Sequence, residues 1–161
     1  MKQEITIASI SYDNKKDVRI LKACLETWFQ NPKDLNLTSP SMRYPFSFTQ
    51  WIAHSYNNKN TVSYIIKKDD WIIGHMSLQL NPLTNSVHLF HVFIDRDNRG
   101  KGYSKLLIDK AIAFAKDSNY GAITLYVLPK NEPALKLYRS YGFSETGDFS
   151  QTGSPRLKLK I

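Results

Sequence analysis

The sequence predicts a mixed α/β fold: a mostly antiparallel twisted sheet of about seven strands flanked by about four helices. Three observations lead there. Residues 87–94 form a run rich in β-branched and aromatic side chains. A polar segment with two glycines breaks that run, and an apolar pattern of helical period follows it. A second apolar run at 122–128 then completes a strand, crossover helix and strand unit, whose strands should be parallel and connected right-handedly. The runs at 61–67 and 71–80, joined by Lys68-Asp69-Asp70, read as an antiparallel hairpin.

Length and composition are consistent with this. A chain of 161 residues with 42% hydrophobic and 12% aromatic content suits one compact domain spanning residues 1–161. Cys24 is the single cysteine, so no internal disulfide forms. With no N-terminal apolar run and no membrane-length segment, a reducing, cytoplasmic setting without membrane contact is the expectation. The net charge of +8 does not indicate nucleic acid, because the lysines are spread along the chain and no nucleic-acid motif accompanies them. An anionic ligand accounts for it more simply. No metal-ligand pattern stands out.

In chain order, Ile5 and Ile7 share one face of a first strand. Asp13 or Asn14 can cap a helix running to about Phe29, with Val18, Leu21, Leu25 and Trp28 at helical spacing. Cys24 lies on or beside that stripe and reads as a small core residue. Residues 31–45 are polar, hold three prolines and read as a long loop. Ser47-Phe48-Thr49-Gln50 has capping-box spacing and should start a short helix carrying Trp51 and Ile52. Specificity is expected in this region: Tyr44, Phe48 and Trp51 either seal a core edge or contact a substrate. Gly74 falls inside a strand, where it suggests a bulge or close packing, and His75 reads as structural.

The segment after residue 94 carries the chemistry. Gly100 and Gly102 let a ligand approach the backbone, and the first N–H groups of the following helix have no partners within it. Such a terminus suits an anion, and Arg99, Lys101, Ser104 and Lys105 add donors. A P-loop is excluded, since four residues do not separate a first glycine from a Gly-Lys-Ser/Thr. A dinucleotide fingerprint is excluded as well, since its third glycine is Lys105 here. Downstream, the helix ends at Asn119-Tyr120-Gly121, and another is bounded by Pro133 and Gly142. Residues 143–149 and 156–161 form two closing strands.

Arg99-x-x-Gly102-x-Ser104 resembles the Arg/Gln-x-x-Gly-x-Gly/Ala signature of the GNAT superfamily of acetyl-coenzyme A-dependent N-acyltransferases, with Ser104 in place of a small apolar residue. Asn131, Ala134, Tyr138, Gly142 and Phe143 resemble the Asn-x-x-Ala-x-x-x-Tyr-x-x-x-Gly-Phe motif that follows the fifth strand in the same superfamily. The resemblance spans the chain and is strongest from His88 to Phe143.

It implies a sheet splayed between its fourth and fifth strands around acetyl-coenzyme A, the acetyl donor. The backbone of Phe93 and Ile94 would pair with the pantetheine arm. The N–H groups of Arg99, Gly100, Lys101, Gly102, Tyr103, Ser104 and Lys105 would hold the pyrophosphate. Asn131 would contact the arm, and Tyr138 would protonate the departing thiolate. A lysine-like amine has a pKa near 10.4, so only about one in two thousand is nucleophilic at neutral pH, and transfer needs a route for its proton.

His88 matches a strand position where family members place a base, and it is either that base or a core histidine. His91 points to the opposite face in a regular strand, an outcome that a bulge reverses. Tyr44, Trp51 and His91 are the candidates for acceptor contact. The implied activity is acetyl transfer to a primary amine of a small molecule, a peptide N-terminus or a lysine, by direct attack in a ternary complex of a monomer or homodimer. The alternative is a non-catalytic acyl-coenzyme A sensor.

Overall fold

A computed structural model describes residues 3–161. Its elements run β1 (Ile5–Ile10), α1 (Lys15–Trp28), α2 (Pro32–Thr38), α3 (Phe48–Ser55), β2 (Thr61–Lys68), β3 (Trp71–Asn81), β4 (Ser86–Ile94), α4 (Tyr103–Asp117), β5 (Ala122–Tyr126), α5 (Glu132–Ser140), β6 (Ser144–Phe149) and β7 (Pro155–Lys160). The seven strands form one sheet in the order β1-β2-β3-β4-β5-β7-β6. Every neighbouring pair is antiparallel except β4 and β5. Among the described residues no helix is long and apolar enough to cross a membrane.

Strand alternation sends side chains into two cores. Ile66, Met76, Leu78, Val87 and Leu89 meet Leu107, Ile108, Ala111 and Ala115 of α4 on one face. On the other, Ile65 and Phe93 meet Leu21 and Leu25 of α1, Leu35 of α2 and Trp51 of α3. A 14-residue helix such as α1 is marginal in isolation. Complete burial of Leu21 and Leu25 adds about 1.5–3 kcal/mol each and holds it on the sheet.

Five helices flank the sheet where about four were expected, and the extra one is α2, inside the segment read as a loop. Its prolines do not oppose a helix. Asn31 is the N-cap, with its side chain accepting from the N–H groups of Lys33 and Asp34, and Pro32 opens the first turn, where no amide donor is needed. The expected cap of α3 is present, the Ser47 hydroxyl accepting from Gln50 N–H.

Of the three strand irregularities, the two in β3 and β4 sit near the site, and the third lies between β6 and β7. At Gly74, β2 and β3 shift register, and a Cβ there would lie 3.0 Å from the Ile94 side chain and 3.3 Å from the Phe93 carbonyl. In β4, Phe90 faces Ser77 and Phe93 faces His75, so His91 and Val92 together oppose Met76. His91 takes φ +51 in this bulge. As a result His91 packs on the α3 side with Phe90 instead of on the opposite face, its ring 3.7 Å from Trp51.

Candidate functional site

β4 and β5 pair only at Ser86 with Ala122, Val87 with Ile123 and His88 with Thr124, although β4 continues to Ile94. Beyond His88 the two strands separate. A cleft of about 1030 Å³ opens there, bordered by Val92, Phe93 and Ile94 from β4, Arg99, Gly100 and Ser104 from the glycine turn and α4, and Lys130, Asn131 and Tyr138 from the β5–α5 side. The cleft therefore brings the two motifs onto one surface. Lys101 and Gly102 of the turn, and Tyr103 and Lys105 at the start of α4, do not border it.

Main-chain alternation sorts the β4 residues. Asp95 N–H donates to the Ile73 carbonyl at 2.8 Å, so the Ile94 groups turn away from β3 toward the cleft and the Phe93 groups turn back to β3. Of the two residues expected to pair with an added strand, only Ile94 turns its main chain to the cleft, and its carbonyl already accepts from Arg99 Nε. The Phe93 ring instead packs against Trp28 and Phe29, with the Arg99 guanidinium 5.1 Å above it.

Gly100 and Gly102 adopt φ +75 and +83, and Gly102 is the N-cap of α4 without any side-chain cap. Among the described residues, the N–H groups of Gly100, Lys101, Gly102, Tyr103 and Ser104 donate to no backbone carbonyl. Five successive free donors at the positive end of a 15-residue helix fit a pyrophosphate. Asn131 occupies the N-cap of α5 yet makes no capping hydrogen bond, which leaves its amide to the cleft. The Tyr138 hydroxyl forms no hydrogen bond within the described residues, and burial pushes its pKa up to about 12.

Arg99 is less free than its sequence position suggests. Its Nε donates to the Ile94 carbonyl at 2.9 Å and its Nη2 lies 3.2 Å from Asp34 Oδ1, while Arg96 Nη2 lies 3.3 Å from Asp34 Oδ2. Asp34, Leu37, Thr38 and Lys130 border the cleft and carry no signal of their own in the sequence. The Asn31-Pro32 cap is the signal that places the first three.

A second cavity of about 390 Å³ adjoins the cleft, sharing Leu37 and Thr38 with it, and is bordered by His88, His91, Tyr126 and Ser154. His88 Nδ1 shares a hydrogen bond with Thr124 Oγ1 at 2.9 Å. Burial first, then the Arg156 charge, lowers its pKa to about 4, so the ring is neutral at pH 7 rather than poised near 6.5. His91 Nδ1 is held by Tyr56 Oη at 2.8 Å, and burial, then the nearby His75 and His88, lower its pKa well below the ordinary value.

Beneath His91 lies a closed network. The His75 Nδ1–H donates to the His91 carbonyl at 2.8 Å, so the neutral ring accepts from the Tyr12 hydroxyl at Nε2, and Tyr12 accepts from Trp51 Nε1–H at 3.1 Å. His75 is structural, as expected. Trp51 is fully buried in that network and reaches neither cavity, and Tyr44, exposed and bonded to the Gln30 carbonyl, borders none either. Of the three acceptor candidates, only His91 lines a cavity. Cys24 is half-buried on α1, and burial raises its thiol pKa.

The family model for the acetyltransferase (GNAT) family matches residues 23–143. N-acetyltransferase 8B of Homo sapiens is 36% identical over 97 residues, covering 60% of this chain and 39% of that protein. N-acetylaspartate synthetase of Danio rerio is 35% identical over 92 residues, covering 55% and 33%. The chain thus spans less than half the length of these relatives. In three dimensions, spermidine N-acetyltransferase from Vibrio cholerae, in complex with CoA and spermine, superposes with a TM-score of 0.74 at 18% identity over 97% of this chain and 95% of that one, which is a likeness of fold.

Proposed function

The chain belongs to the acetyltransferase (GNAT) family, and from that premise we propose that it moves an acetyl group from acetyl-coenzyme A to a primary amine, with both reactants held in the two joined cavities. One observation carries this reading: a run of five unbonded amides whose ends, Gly100 and Ser104, border the same cleft as the unpartnered Tyr138 hydroxyl, with a second cavity adjoining it at Leu37 and Thr38.

When bound, the thioester supplies an activated acetyl group. The amides from Gly100 to Ser104 bind the pyrophosphate oxygens, and the outward-facing main chain of Ile94 together with the uncommitted Asn131 amide aligns the arm. Tyr138 holds its proton at every ordinary pH and delivers it to the departing sulfur, a transfer from a hydroxyl to a thiolate that ends on a thiol of pKa near 8.5. In the tautomer whose Nδ1–H donates to Thr124 Oγ1, neutral His88 presents Nε2 as an acceptor to the amine, directly or through water. An imidazole lowered to about 4 is a weak base, so it orients the amine, and the proton that the nitrogen sheds passes through water to restore the Tyr138 hydroxyl. Orientation in the ternary complex supplies much of the rate, and no covalent intermediate is required.

The cleft-facing Tyr138 hydroxyl and the second cavity favour turnover over a binding-only role. A direct test follows: calorimetry with coenzyme A, then thiol release from acetyl-coenzyme A across an amine panel. Binding without release from any amine would replace this reading with that of a sensor.

A further inference from the structure

We infer that the acceptor is a small amine that carries a carboxylate or comparable anionic group beside its amino group, and that Arg156 recognises that group. This rests on the acetyl-transfer reading and narrows it.

The 390 Å³ cavity has the size of a small-molecule site, and no aspartate or glutamate borders it; Arg156 stands just outside its wall, opposite the bordering Tyr126. No aspartate or glutamate borders the adjoining cavity of about 400 Å³ either, which shares His88 and Phe90 with it. A polyamine or aminoglycoside brings several ammonium groups, and each needs a carboxylate or an aromatic cage once it leaves water. Neither cavity offers a carboxylate, and the histidines that border them supply no negative charge to balance an ammonium.

The charge that does surround the site is positive. Arg156 on β7 sits directly opposite Tyr126 on β5, and the Tyr126 ring packs edge-on to His88 at 5.2 Å. Paired residues project to one face, so Arg156 shares the face of His88. Lys158 is opposite Thr124, the hydrogen-bond partner of His88, and Lys160 is opposite Ala122, giving a row of three cations on that face.

Arg156 itself is only partly engaged. Its Nη1 meets Asp148 Oδ2 at 3.2 Å, and its Nε and Nη2 make no other hydrogen bond among the described residues. The Asp148 side chain is 66% exposed, so this is a surface pair that a ligand carboxylate can displace in favour of the two-point fork an arginine prefers. Ser154 adds a second indication. Its hydroxyl is the one buried side-chain polar atom left without a partner among the described residues, and Ser154 borders the cavity wall next to β7.

The test measures coenzyme A release at fixed acetyl-coenzyme A with amino acids and dipeptides, with neutral amines such as phenethylamine, and with spermidine and an aminoglycoside. The expected result is at least tenfold higher kcat/KM for the carboxylate-bearing acceptors. Arg156→Gln should raise KM for them about tenfold, with coenzyme A affinity unchanged. Asp148→Asn removes the same ion pair while keeping the arginine, and it should leave that KM equal or lower. Polyamines or neutral amines turning over as well as amino acids would overturn the inference while leaving acetyl transfer standing. Arg156→Gln and Asp148→Asn raising KM alike would reduce Arg156 to a structural role and overturn it too. Release with no acceptor at all, despite coenzyme A binding, would remove the acetyl-transfer reading and this inference with it.

Discussion

Asp34 and Arg99 stand 3.2 Å apart across the cleft, and the same carboxylate holds Arg96 at 3.3 Å. The carboxylate is buried while both guanidinium groups are partly exposed, so α2 is tied to the anion-binding turn by a charge that opposes an anion. Asp34→Asn should therefore act in two directions. Loss of the charged contacts should lower stability by about 1–2 kcal/mol in urea unfolding. Coenzyme A should bind about threefold tighter at low salt, a gain of well under 1 kcal/mol that disappears as ions screen it. Weaker binding at low salt would mean that Asp34 holds the arginines in their binding posture instead.

Tyr138→Phe removes the proposed proton donor and little else, since the hydroxyl makes no hydrogen bond within the described residues and the ring keeps its contact with Phe143. Turnover should fall on the order of a hundredfold, with coenzyme A affinity nearly unchanged. Because burial holds the hydroxyl near pKa 12, the wild-type rate should show no alkaline limb from this group below about pH 10. An unchanged rate in the variant would remove Tyr138 from the acid role.

The strands, the glycine turn and the α5 motif were legible because each rests on local signals: alternation, positive-φ glycines, and a proline at the start of a helix. Tertiary effects hid the rest. A regular period of two places His91 away from His88, whereas the bulge opposite Met76 returns it to the same side of the sheet. Trp51 sits next to a long polar stretch and resembles a binding aromatic, yet its indole N–H is used by Tyr12 deep in the core. Asp34 is one acidic residue among fourteen in the sequence, and only folding brings it between two arginines. Burial likewise changes the chemistry of His88, whose reference pKa suits a base and whose environment does not.

His75 should make the protein acid-sensitive. Its folded pKa of about 4 lies below the unfolded value near 6.5, so the unfolded chain binds the extra proton first as pH falls. The contribution is fully present above pH 6.5 and is lost as pH drops toward 4, by about 3 kcal/mol for this one ring. His75→Gln should cost about 1–3 kcal/mol at pH 7, through the disturbed bonds to Tyr12 and His91, and should flatten the slope between pH 6.5 and 4. Urea midpoints across that range measure both effects. An equally steep slope in the variant would assign the acid sensitivity elsewhere.

Gly102→Ala isolates the backbone of the anion site. A Cβ there meets nothing within 4 Å, so steric clash contributes nothing and the effect comes from φ +83 alone. Holding alanine in the left-handed region costs roughly 1–2 kcal/mol, part of it offset by the stiffer unfolded chain. If the turn relaxes to relieve that strain, one or two of the amides from Gly100 to Ser104 rotate off the pyrophosphate, each worth about 1 kcal/mol. Coenzyme A affinity should then fall about tenfold, while dephosphorylated pantetheine, which never reaches the turn, binds as before. Equal losses for both ligands would place the damage in the cleft as a whole, and native affinity for both would show that these amides do not hold the phosphates.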